Sequence, residues 1–115
     1  MKIALVNIFK PQAGSADGIT EYTYQLYQKL KKRHKIDLFW ALQKSKREDI
    51  LGRVYVETIF RRTILNKLLK GNYDIIHITN SEIGWLAKDL KNKGTKSAIV
   101  ISIHDFVRIR EKGNL

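Results

Sequence analysis

The segment 2–8 (KIALVNI) is apolar from Ile3 onward except at Asn7, and it empties directly into a loop bearing Pro11, Gly14 and Gly18. A parallel strand covered on both faces reads as a continuous apolar run rather than an alternation, so this pattern predicts a central strand. Beyond the loop, Ile19, Tyr22, Leu26 and Leu30 recur at three- and four-residue spacing and predict a helix with one apolar stripe, Tyr27 beside it. The aromatic and β-branched content of 35–41 (KIDLFWA) predicts a second strand. Residues 43–49 form a charged connection, and 53–57 (RVYVE) reads as a short third strand. From Thr58, the positions Ile59, Phe60, Ile64, Leu65, Leu68 and Leu69 predict an amphipathic helix closed by Gly71-Asn72. Two more buried strands, 73–79 (YDIIHIT) and 97–103 (SAIVISI), flank a helix over 82–92. That helix is capped by Asn80 or Ser81, stopped by Gly94, and turns Ile83, Leu86, Ala87 and Leu90 inward.

Strands alternating with helices predict an α/β fold: a doubly wound, mainly parallel Rossmann-like sheet with helices on both faces. A strand order of the 3-2-1-4-5 type places the topological switch between the strand starting at Lys2 and the one starting at Tyr73. Ligands bind at the carboxyl ends of the strands there. Three segments converge on that place: the loop 9–18, the turn Thr79-Asn80-Ser81, and the strand end His104-Asp105.

The chain of 115 residues is the size of one domain and short for a complete two-substrate enzyme. It has no cysteine, which removes disulfides and thiolate metal sites and makes a reducing cytoplasm the expected setting. No apolar run approaches the roughly 20 residues that span a bilayer. The 22 basic and 11 acidic residues leave a net charge of +11. The excess is clustered at Lys29, Lys31, Lys32, Arg33 and Lys35, again at Lys44, Lys46 and Arg47, and again at Arg61, Arg62, Lys67 and Lys70. Such clusters attract nucleic acid, anionic head groups or phosphorylated substrates, or they are a solvated face, which the helix dipole favours for the first cluster.

The loop fails both common phosphate-binding patterns. Gly14 and Gly18 are not followed by the third glycine of G-x-G-x-x-G, and Ile19 stands where a Walker loop has lysine. What remains is Gly18 at a helix N-terminus, bringing its backbone against a phosphate or sugar, or simply shaping a turn together with Gly14. His77, between Ile76 and Ile78, reads as a packed, hydrogen-bonded core residue. His104 ends a strand at the switch, where it can donate to a sugar hydroxyl or phosphate oxygen and change charge near neutral pH. Asp105 beside it orients the imidazole or caps the next turn. Three scattered histidines without i,i+4 spacing give no metal site, and no cofactor is expected.

The opening MKIALVNIFKPQAGSADGITEYTYQLYQKL, the strand YDIIHITN before a helix, and the strand ending AIVISIHD, in that order and spacing, resemble the N-terminal half of the family 4 (group 1) retaining glycosyltransferases of GT-B fold. The resemblance runs from Met1 to about Phe106. It implies that the loop from Gly14 to Gly18 approaches the donor diphosphate and the acceptor and that His104 lies near the transferred sugar; Asn80 and Asp105, which the strand order brings to the same switch, are the further expected donor or acceptor contacts. Family members often carry a second histidine where Thr79 stands. They also carry a second Rossmann-like domain that holds most of the nucleotide-sugar, with a glutamate pair at a spacing that Glu48 and Glu57, eight residues between them, do not reproduce. The resemblance therefore implies that residues 1–115 are the acceptor-side half of a hexosyltransferase-type enzyme, a fragment, truncated product or split subunit that is inactive alone. Its expected partners are a nucleotide-sugar, an acceptor glycan or lipid-linked acceptor, and the missing domain. Arg61, Arg62, Lys67 and Lys70 are the expected contact with an anionic membrane, as a peripheral protein on its cytoplasmic face. Two rivals stand beside this reading. One is a phosphate-binding α/β module without catalysis. The other is a nucleic-acid-binding domain, which needs interleaved aromatics that here fall mostly in strands or on inward helix faces.

Overall fold

The computed structural model describes residues 1–14, 18–42 and 50–103. Among these residues, four parallel strands form one sheet in the order β2-β1-β3-β4. They are β1 (Lys2–Phe9), β2 (Lys35–Leu42), β3 (Ile75–Ile78) and β4 (Ala98–Ile101). The first strand is central, as its unbroken apolar run requires: Ile3 to Phe9 are all buried. Its register with β2 pairs Val6 with Phe39, and its register with β3 pairs Ala4 with Ile76 and Val6 with Ile78.

Helices cover both faces of the sheet. On one face Ala4, Val6, Ile8, Ile76 and Ile78 pack with Phe60, Ile64, Leu68, Leu86 and Leu90 into the main core. The last five come from helices α3 (Arg61–Lys70) and α4 (Trp85–Asn92) and the turn before α3. The opposite face carries Asn7 and is covered by α1 (Gly18–Leu30). The buried residues of α1 are Thr20 and Thr23, while Tyr22 is exposed. This corrects the phase of the expected stripe of Ile19, Tyr22, Leu26 and Leu30. A buried asparagine must find hydrogen-bond partners, and the two threonines supply the polar face that meets it.

The expected third strand over 53–57 is helical. Helix α2 (Ile50–Tyr55) runs through a π turn (Val56–Phe60) into α3, with right-handed helical dihedrals at both junctions (Tyr55 φ −58°, ψ −49°; Arg61 φ −55°, ψ −46°). A strand would place Val54 and Val56 on one face; here Val54 is exposed and Val56 is buried. Val56, Phe60, Ile64 and Leu68 repeat every four residues and all bury against the sheet. The wider π turn keeps Val56 and Phe60 in phase with the α-helical pair that follows, and this burial overrides the β-propensity of RVYVE. It also turns Ile59 outward, 61% exposed, where an inward position was expected. With that segment removed from the sheet, the expected order 3-2-1-4-5 reduces to the observed one, and the switch between β1 and β3 stands.

Helix α3 ends as expected at Gly71-Asn72, but the left-handed residue is Asn72, at φ +52°. Gly71 is right-handed and is required for a different reason: a Cβ there would lie 2.2 Å from the ring of Tyr73. Asn80 caps the single 3₁₀ turn Ser81–Ile83 that leads into α4, its Oδ1 accepting from the Glu82 amide at 3.0 Å.

Candidate functional site

The carboxyl end of the sheet is organised by a buried polar network. Asn7, near the end of β1, donates through Nδ2 to the carbonyl of Phe9 (2.9 Å) and to Thr20 Oγ1 (3.3 Å). Thr23 Oγ1 lies 2.8 Å from both the Ile19 carbonyl and Thr79 Oγ1. Thr79, just past β3, lies 3.1 Å from the Val6 carbonyl, and its amide donates to the same oxygen at 2.9 Å. All of these side chains are essentially excluded from water. Such groups are costly to bury unpaired, so the network fixes one relative position for β1, β3 and the first turns of α1. Thr79 thereby has a structural duty at the start of the turn after β3. The apolar pattern alone does not disclose this network, although Asn7 inside an otherwise apolar strand is its trace in the sequence.

The start of the loop after β1 is anchored to the end of β2. Pro11 is buried, and the Lys10 amide donates to the Leu42 carbonyl at 2.8 Å. Gly14 has φ +71°, and a Cβ at Gly14 or at Gly18 would meet nothing within 4 Å. Among the described residues, both glycines therefore face open space. The Gly14 amide donates to Glu21 Oε2 at 2.8 Å, and Gln25 Nε2 donates to Glu21 Oε1 at 3.1 Å. A carboxylate from the first turn of α1 thus reaches back to a loop amide, placing negative charge at the positive end of the helix dipole. Sequence reasoning missed Glu21; its position three residues after Gly18, in the first turn, was the available signal.

The topology brings the Gly14 and Gly18 loop, the Thr79-Asn80 turn and the end of β4 to the same edge of the sheet. Asn80 is 3% exposed with its Oδ1 committed to the 3₁₀ turn, so it shapes this edge through the backbone. His104 and Asp105 lie outside the described residues, immediately after Ser102 and Ile103. Ser102 donates its amide to the Ile78 carbonyl at 3.0 Å, and its Oγ is 2.6 Å from His77 Nε2. His77 is accordingly hydrogen-bonded and half-buried. Among the described residues no group of three His, Cys, Asp or Glu side chains is placed to hold a metal ion.

The four basic residues of α3 do different things. Arg61 makes a two-pronged ion pair with Asp89 of α4, Nε to Oδ2 at 2.7 Å and a second nitrogen to Oδ1 at 2.9 Å, and its guanidinium lies 4.8 Å from the centre of the Trp85 ring. These hydrogen bonds hold the Asp89 carboxyl below the usual carboxylate range, against the opposing effect of burial. Arg61 thus ties α3 to α4. Arg62, Lys67 and Lys70 are exposed. Lys67 and Lys70 border a groove of about 620 Å³ along β2, whose floor includes Ile36, Leu38, Phe39 and Tyr73. There Tyr73 donates to Asp37 Oδ2 at 2.6 Å and packs edge-on against Phe39. Burial, and then the bond to Asp37, push its phenol above the ordinary tyrosine value.

No family model matches the chain, and no curated protein or solved structure matches it. Among the described residues no helix is long and apolar enough to cross a membrane.

Proposed function

We propose that this chain is the acceptor-side half of a glycosyltransferase, which binds part of a nucleotide-sugar at the carboxyl edge of the sheet and works with a second domain that holds the rest. The observation that carries the reading is the Gly14 amide at the mouth of α1, with a carboxylate oxygen 2.8 Å away and both loop glycines exposed. Oxygen anions of a diphosphate have the same chemistry as that carboxylate, and a helix N-terminus favours them for the same reason. In this reading the donor displaces Glu21 and takes over the amide. Gly18 lets the backbone approach, His104 holds a sugar or phosphate oxygen, and Asp105 orients the imidazole. Retaining transfer develops positive charge on the sugar and negative charge on the departing diphosphate, so the half-site contributes by positioning and electrostatics. The exposed cations of α3 bring the domain to an anionic surface that carries a lipid-linked acceptor.

Titration of the chain with UDP-, GDP- and ADP-sugars, followed by amide chemical shifts, tests this reading. The expected result is weak binding of one of them, with shifts at Gly14 and Gly18 and no sugar transfer or donor hydrolysis. Glu21→Gln removes the competing charge, and the affinity should rise severalfold. Turnover by the chain alone would overturn the half-enzyme reading. Equal binding of inorganic diphosphate and every donor would favour a phosphate-binding module without catalysis, and tighter, salt-steep binding of DNA would favour the nucleic-acid reading.

A further inference from the structure

Among the described residues, the largest group of exposed apolar side chains lies away from the loop, on the amino half of the helical rod 50–70. Ile50 is 81% exposed, Leu51 79%, Val54 53% and Ile59 61%, with Tyr55 exposed beside them. Their spacing places them on one side of the rod, while Val56 and Phe60 face the core. The outward side changes character along its length. It is mostly apolar from Ile50 to Ile59, with Arg53, Glu57 and Thr58 also exposed along this stretch, and then carries the exposed cations Arg62, Lys67 and Lys70.

We propose that this rod lies in the plane of an anionic lipid surface, with Ile50, Leu51, Val54 and Ile59 entering the boundary between head groups and acyl chains while Arg62, Lys67 and Lys70 meet the head groups. A helix with one apolar side and basic residues on the same rod has the composition of an interfacial helix, and tyrosine suits the wet edge of such a layer. The charge selects the occupant. The chain carries +11, which opposes a second copy of itself on this face and favours an anionic partner. The stripe is a convex ridge of side chains, which a bilayer accommodates without a shaped pocket. The inference rests on the membrane part of the function proposed above and adds that contact is by insertion as well as by charge. It is independent of sugar transfer, so failure of donor binding leaves it standing.

Co-sedimentation of the full chain with phosphatidylglycerol/phosphatidylcholine vesicles, and with phosphatidylcholine alone, tests it. Binding should require the anionic lipid and fall at least tenfold in Leu51→Glu with Val54→Glu, both exposed positions that leave the core unchanged. Arg62→Glu should weaken binding and reduce its salt dependence. As a second readout, the fluorescence of Tyr55→Trp should shift to shorter wavelength on anionic vesicles. Binding that depends on salt but is unchanged by the Leu51 and Val54 substitutions would overturn insertion and leave a purely electrostatic contact. Absence of binding at low salt would overturn both, as would concentration-dependent self-association abolished by the same substitutions, which would make the stripe a protein interface.

Discussion

Asp89 shows how a single residue can link two helices and a pH response. Its carboxylate takes both prongs of Arg61, and these bonds outweigh the opposing effect of its burial, so its folded-state pKa is depressed. A depressed carboxylate contributes stability that is fully present above its unfolded value, about 3.9, and is lost as pH falls through the folded value. Unfolding followed across pH 7 to 2 should therefore show Asp89→Asn less stable than the parent at neutral pH, with the gap closing below about pH 4. A constant gap would mean that the substitution acts through packing alone. At the candidate site, glycine between a strand and a helix advertises itself, and Gly14 does have the left-handed backbone that favours glycine, whereas Gly18 is the first residue of α1. Glu21 and the Asn7, Thr20, Thr23 and Thr79 network were not legible in the sequence, since their roles depend on which side chains the folded sheet brings within 3 Å or so of one another.

At the scale of elements, every strand that enters the sheet was legible, β2 from its aromatic and β-branched content and the others from apolar runs, and of the two expected caps, Asn80 and Ser81, Asn80 is the one that caps. The segment 53–57 misled because valine and tyrosine favour strands on local grounds, whereas Val56 had a partner for burial only as part of a helix. Gly71 offers a direct test of how the end of α3 is built. A methyl group there would overlap the Tyr73 ring, which also carries the bond to Asp37 and lies under the Lys2 ammonium at 4.8 Å. Gly71→Ala should lower stability by about 1–3 kcal/mol, as expected for overpacking, and the near-ultraviolet signal of the displaced tyrosine should change with it. Asn72 is the control. Replacing it with glycine keeps the left-handed turn and should change stability by no more than a few tenths of a kcal/mol.

Over the whole molecule, the sheet is finished at its centre and open at its sides. Neither β2 nor β4 has an outer strand partner among the described residues. The run 97–103 reads as a buried strand, yet Val100 is 44% exposed and Ile101 39%. Burial at an edge depends on what lies next to it, which the run itself does not encode. The order β2-β1-β3-β4 also has a consequence in time. Of these four strands, the one made first lies inside the sheet, and its second neighbour follows some seventy residues later: the Ile3 to Ile75 pairing closes the largest loop in the sheet, and the Asp74 amide reaches back to the carbonyl of Lys2. Until residue 78 has emerged, one edge of β1 is open and the apolar face shared with Ile76 and Ile78 is incomplete. A chain ending at residue 70 should therefore give a poorly dispersed amide spectrum and bind hydrophobic dyes, and extending it to residue 103 should restore dispersion. A well-dispersed spectrum from the shorter chain would show that β1 and β2 form a stable folding unit on their own.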